Sequence, residues 1–208
     1  MPSRYPAVGI LDQIASPGDL DSIIELETWT NDRISTELGT LHRLPKEEWV
    51  MGEPMSSVIM AAFCHPRAEG GRFNGPDRGA WYAGRSQATA HAEVIYHRTR
   101  ELEEVGIFDA YTQVRAYLAN FHSYFVDIRQ PRPEYEPLLD PGSYAASQSF
   151  ARQLLQSGAN GVVYPSVRDP EGECIVCFRP KLIKNVRMGP HFEYRWNGQR
   201  SPTIRRIQ

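Results

Sequence analysis

Between Gly70 and His97 the chain reads GGRFNGPDRGAWYAGRSQATAHAEVIYH, and few folds can accommodate that run. A glycine-rich turn carries Arg72. The short aromatic run Ala80-Trp81-Tyr82-Ala83 has strand character. Gly84-Arg85-Ser86 is a second turn, and a helix opens from about Gln87 to Glu104. Within it Ala88, Ala92, Ile95, Thr99 and Leu102 recur at i+3/i+4 spacing. At ~100° per residue, Glu93 falls on the shoulder of that apolar face, and His97 shares the shoulder. A loop, a strand and a helix that follow one another directly are usually neighbours in space. Arg72, Tyr82 and Glu93 are therefore expected to face one cleft.

The rest of the chain predicts flanking helices and hairpins. Residues 1–17 are irregular. Residues 19–38 read as a helix, capped by Ser22-x-x-Glu25 or by Asp19 and stopped by Gly39. That helix packs on the main body or, alternatively, offers a partner surface. A short strand is expected at Leu41-His42-Arg43, ended by Pro45; residues 54–64 suit a helix or a strand equally. Gly106 ends the central helix. Residues 111–128 alternate in two pieces about Ala119-Asn120, the pattern of a β-hairpin. Pro131, Pro133, Pro137 and Pro141 mark 130–142 as a loop. A helix from about Tyr144 to Gln156 stops at Gly158. The apolar strand at 161–168 turns through Asp169-Pro170-Glu171-Gly172-Glu173 into a second strand at 174–179. Segregated hairpins and helices point to an α+β fold, with small mixed or antiparallel sheets and flanking helices. The locally basic stretch from Arg187 to Arg206 reads as a solvated tail.

With 208 residues and a net charge of −2, the chain is long enough for one good core and has no global field for nucleic acid or membrane. No apolar run approaches the ~20 residues of a membrane helix, and MPSRYPAVGILDQ has no signal-peptide core. Three cysteines without framework spacing suit a reducing cytoplasm. Cys174-x-x-Cys177 lies in a strand-like run, where positions three apart face opposite ways, so no metal site is expected there. Walker, dinucleotide-fingerprint, nucleophile-elbow and zincin patterns are all missing. A triad through Ser166 stays open, although Ser166 lacks the glycine-flanked turn that usually exposes a nucleophile.

Three pieces taken in order carry further: GGRFN with Arg72, YAGRSQATAHAE from Tyr82 to Glu93, and GVVYPSVR with Ser166. Together they resemble the RES domain, a family named for arginine, glutamate and serine. The spacing of ten from Arg72 to Tyr82 and eleven from Tyr82 to Glu93 suits that family. The resemblance covers about residues 40–185, leaving 1–39 as an N-terminal extension with one helix and 186–208 as a basic tail. It implies a fold like that of ADP-ribosyltransferases. It also implies a bacterial toxin that destroys NAD⁺ by glycohydrolysis or phosphorolysis, in the cytoplasm. An Xre-type antitoxin is the implied partner, with a homodimer inside the complex. The implied site residues are Arg72, Tyr82, Glu93 and Ser166, with Arg43 matching an early arginine of the family. His91 stands where a small or apolar residue is expected. NAD⁺ is substrate rather than retained cofactor, and inorganic phosphate is the possible co-substrate.

The residue types suit that chemistry. Nicotinamide leaves as a neutral molecule, so no general acid is needed, while the ribose gains oxocarbenium character. A carboxylate at Glu93 stabilises that charge and holds ribose hydroxyls. Guanidiniums at Arg72 and Arg43 pair with pyrophosphate oxygens. Tyr82 stacks on the cationic ring. Ser166 bonds a phosphate or ribose oxygen, or orients Arg72 or Glu93. The alternatives are an ADP-ribosyltransferase acting on a protein and a non-enzymatic module that binds NAD⁺ or a partner.

Overall fold

The computed structural model describes residues 10–12 and 41–207. The helix expected over 19–38 and the boundary at 39 lie outside the described residues. Within them the fold is α+β: two sheets, with helices packed between and around them.

The first sheet has the order β1-β5-β4-β3. Its strands are β1 (Trp81–Gly84), β3 (Val126–Asp127), β4 (Gly161–Pro165) and β5 (Glu173–Cys177). β1 and β4 run antiparallel to β5, with Tyr82 opposite Val176 and Tyr164 opposite Cys174, and β3 joins β4 in parallel. Trp81 and Cys177 pack into a first core, while Val162, Tyr164, Cys174 and Val176 pack into a second. The two cysteines of the CxxC run thus face opposite sides, as a strand requires. A sheet covered on both faces reads as continuous apolar runs, and VVY and CIVCF are such runs.

The helix α1 (Ser56–Cys64) settles the open choice at 54–64. It is apolar nearly all round and lies in the first core with Leu11, Leu41, Leu44 and Trp81. Its own N-cap, Met55, has φ of 69° and gives no side-chain cap. Asp12 supplies one instead, accepting from the Met55 and Ser57 amides at 2.9 and 2.8 Å. A carboxylate there satisfies otherwise unpaired amides and favours the positive end of the helix.

α2 (Gln87–Val105) is the helix foreseen from Gln87, and α3 (Ala145–Gln156) the one foreseen near 144–156. Gly106 closes α2 at φ 69°, where a side chain would be strained.

Four expectations are corrected. Leu41–Arg43 is a 3₁₀ turn, closed by Leu44 N–H on Leu41 O at 3.0 Å, and not a strand. Residues 111–128 do not form a hairpin: β2 runs unbroken over Asp109–Phe121 and pairs with β6 (Ile183–Asn197). The basic tail is instead β6 and β7 (Thr203–Ile207), the remainder of a second sheet ordered β2-β6-β7. The proline-rich loop contains a 3₁₀ helix over Pro133–Leu139. The second sheet lays Phe192, Tyr194 and Trp196 against Val94, Ile95 and Leu102 of α2. His91 belongs to that contact, with its ring edge-on to Phe192 at 4.6 Å and Nδ1 2.6 Å from the Tyr194 hydroxyl. The polar residue at this apolar position is therefore satisfied by a phenol, and burial lowers its pKa.

Candidate active site

The glycine-rich turn is built to bring backbone and side chains close. Gly70 has φ of +75°, and a Cβ there would meet the Asn74 carbonyl at 2.2 Å. Gln148 of α3 braces the turn by donating to Glu69 O and Gly71 O at 2.9 and 3.0 Å. Tyr82 locks it from the sheet side. Its hydroxyl accepts the Phe73 amide at 2.9 Å and donates to Asn74 Oδ1 at 2.7 Å. A Cβ on Gly71 would sit 2.8 Å from that hydroxyl. The residue as a whole is still 38% exposed, so Tyr82 is fixed at its hydroxyl while part of it reaches the surface. Burial of the phenol raises its pKa.

Arg72 points inward and is 7% exposed. Its Nη1 donates to Leu138 O at 3.1 Å and Asp140 O at 2.8 Å, and its guanidinium carbon lies 4.8 Å from the Tyr144 ring centre. Arg168 holds the same segment from the other side. Its Nη2 donates to Pro141 O at 2.8 Å, and the guanidinium stacks at 3.4 Å on Tyr96 of α2. Residues 138–144 thus form a strap across two guanidiniums.

Glu93 meets Ser166 directly. Ser166 Oγ donates to Glu93 Oε1 at 2.7 Å and accepts from the amides of Arg168 and Asp169 at 3.1 and 3.0 Å. With two amides on its lone pairs, the hydroxyl proton is directed to the carboxylate. This is the geometry of an orienting serine; a nucleophile needs a neighbouring base and free lone pairs. Cys174 Sγ lies 3.8 Å from the same Oε1, and burial, then the Glu93 charge, push its thiol up to about 12. Tyr164, its cross-strand partner, is buried and raised in pKa by burial first, then by Cys174, Tyr82 and Glu93, with Arg72 opposing them. These groups share one electrostatic neighbourhood. On the next turn of α2, His97 is held down to about 4 by burial, then by Arg67 and Arg168.

Of the residues singled out in the sequence, Glu93 and Ser166 touch, and Arg72 and Tyr82 join them through the Gly70–Asn74 turn and Tyr164. Arg43 stands apart: it is exposed and donates to Pro76 O at 2.9 Å, and among the described residues no hydrogen bond ties it to Glu93 or Arg72. Sequence reasoning missed Tyr164, Cys174, Tyr96, Arg168, Thr89 and Asp169. Thr89 alone left a signal, since it precedes Glu93 by one helical turn. Ser86 caps the helix below it, accepting the Thr89 amide at 3.0 Å.

The α+β fold thus sets a helix glutamate against a serine that follows a central strand, with an arginine-bearing turn and an aromatic strand in the same sheet region. The RES domain family model matches residues 40–197, and the chain belongs to the RES domain family. The match continues past residue 185 and through β6. The chain is also similar to the uncharacterized protein y4oC of Sinorhizobium fredii (strain NBRC 101917 / NGR234). The two are 24% identical over 207 residues, covering 96% of this chain and 82% of that protein.

Proposed function

We propose that this chain cleaves the bond between nicotinamide and ribose in NAD⁺, as the toxin of a bacterial toxin–antitoxin pair. The observation that carries the reading is the 2.7 Å bond from Ser166 to Glu93, which fixes a carboxylate within the electrostatic neighbourhood of Tyr164 that Tyr82 and Arg72 share. As the C1″–N bond breaks, its electron pair leaves with neutral nicotinamide and positive charge grows on the ribose. Glu93 is held by one oxygen, so its other oxygen faces that charge without reorganising. Tyr82 offers its ring to the cationic nicotinamide. Arg72 supplies the positive charge for the pyrophosphate. Water or inorganic phosphate then attacks C1″ and gives up a proton to solvent.

The family points to an Xre-type antitoxin as partner and to a homodimer within the complex. No helix among the described residues is long and apolar enough to cross a membrane.

The test is NAD⁺ consumption by the purified chain, with and without phosphate, beside Glu93→Gln. Consumption that depends on Glu93 supports the reading. ADP-ribose as product identifies water as the attacker, and ADP-ribose-1″-phosphate identifies phosphate. Intact NAD⁺ from folded, antitoxin-free protein under both conditions refutes it in favour of transfer or binding.

A further inference from the structure

The loop that delivers Ser166 touches α2 at three points: Ser166 on Glu93, Arg168 stacked on Tyr96, and Asp169 on Thr89. Thr89 lies one turn before Glu93 on the same face of α2. It is 1% exposed, and its hydroxyl donates to Asp169 Oδ2 at 2.7 Å. The backbone amide of Asp169 in turn donates to Ser166 Oγ at 3.0 Å. Ser166 donates to Glu93, and the helix backbone closes the ring from Glu93 back to Thr89. The loop itself is tight: Ser166 N–H bonds Gly172 O at 2.8 Å and Gly172 N–H bonds Asp169 O at 2.9 Å. Gly172 has no room for a side chain, because a Cβ would lie 2.5 Å from Asp169 Oδ2 and 2.7 Å from Thr89 Oγ1. The turn is thus wrapped around this one hydrogen bond.

We propose that Thr89 and Asp169 are a positioning pair for Glu93: their side-chain bond latches the 166–172 loop to α2 and thereby sets where the Ser166 hydroxyl holds the carboxylate. The consequence for catalysis rests on the reading of Glu93 as the group that stabilises the ribosyl charge. The latch itself does not. Without the Thr89 hydroxyl, the Asp169 carboxylate loses its anchor, the two amides on Ser166 move with the loop, and Glu93 is no longer held by one oxygen. Ground-state contacts to NAD⁺ through Arg72 and Tyr82 are untouched, so the loss falls on the transition state.

Two readouts keep the latch and the activity apart. Thr89→Val keeps shape and removes the hydroxyl, while Thr89→Ser keeps the hydroxyl. Asp169→Ala removes the acceptor, while Asp169→Asn keeps one. By amide hydrogen exchange, Val and Ala are expected to speed exchange at Arg168 and Asp169 at least tenfold, with Ser and Asn near wild type and β4 and β5 unchanged. In NAD⁺ turnover, Val and Ala are expected to lower kcat about 10- to 100-fold at nearly constant KM, with Ser and Asn restoring most of it. Unchanged exchange in Thr89→Val and Asp169→Ala overturns the latch whatever the activity. Faster exchange with unchanged kcat, in a chain that does consume NAD⁺, overturns the positioning role. Faster exchange in the Val and Ala variants, in a chain whose wild type leaves NAD⁺ intact, upholds the latch and sinks only the proposed reaction.

Discussion

The two sheets handle their surfaces in opposite ways. The four-stranded sheet has strands of two to five residues and is packed on both faces. The three-stranded sheet has strands of 13 and 15 residues beside an edge strand of five; α2 covers its aromatic stretch, and its Ile183 end packs with Tyr117 and Phe121 into the core around α1. Its outer face carries Glu193, ringed by Gln113, Arg195 and Arg205. The polar groups of the candidate site cluster where the short strands end. β1 leads through Ser86 into α2, and β4 leads through Ser166 into the latch loop. Short strands provide frequent exits from a rigid core, and each exit can turn a polar side chain inward at a fixed position. The long ribbon provides a stiff back wall for the helix that carries Glu93.

If that division holds, substitutions in the first region should cost activity and those in the second should cost little. The largest effect is expected for Glu93→Gln, which keeps volume and removes charge. NAD⁺ turnover should fall by about two to three orders of magnitude while the melting temperature stays near wild type; a melting temperature that falls with activity would instead mark Glu93 as structural. Gly79→Ala comes next. Its Cβ would lie 2.2 Å from the Ala62 carbonyl of α1, a backbone atom that cannot move alone. A loss of roughly 2–3 kcal/mol is expected in urea unfolding, and a neutral result would show the first core to be more pliant than the second.

His97 lies on α2 between the two regions and gives a pH test. Its folded pKa of about 4 is below the ordinary value of 6.5, so between those values the unfolded chain binds more protons. Stability is complete above pH 6.5 and falls as pH drops toward 4, by about 1–2 kcal/mol once its partial exposure is allowed for. His97→Gln should flatten that part of a stability-against-pH curve. The smallest effect is expected for Ile204→Thr, 44% exposed on the edge strand β7. Stability should change by less than about 0.5 kcal/mol and turnover not at all; a loss of turnover would give the ribbon a part in the site.

What could be read from the sequence follows from how local each cause is. β1, α2 and the apolar run of β5 declare themselves through neighbours in sequence, so their limits fall close to where periodicity and capping put them. The supposed hairpin near Ala119-Asn120 failed because the partner of β2 lies some seventy residues later. The pairing register slips between Leu118 and Asn120, and a slip and a turn leave the same break in alternation. The charges of the tail hid a strand: Phe192, Tyr194 and Trp196 alternate with Glu193 and Arg195, a period of two that a count of basic residues overlooks. At the site, Glu93 and Ser166 were legible through the ordered RES motifs. Thr89 with Asp169 was not, since no local rule joins residues 80 positions apart.

β1 has one partner in its sheet, β5, and the contact between Glu93 and Ser166 depends on the loop that joins β4 to β5. A chain growing from its N-terminus therefore carries Arg72, Tyr82 and Glu93 long before it has anything to set them against. Until residues 161–177 have been made and have docked as a unit, the glutamate belongs to a helix with no serine beside it. The contact between Glu93 and Ser166 is thus a long-range one, 73 positions apart in the chain, and it is acquired only when the strand pair carrying Ser166 docks beside α2.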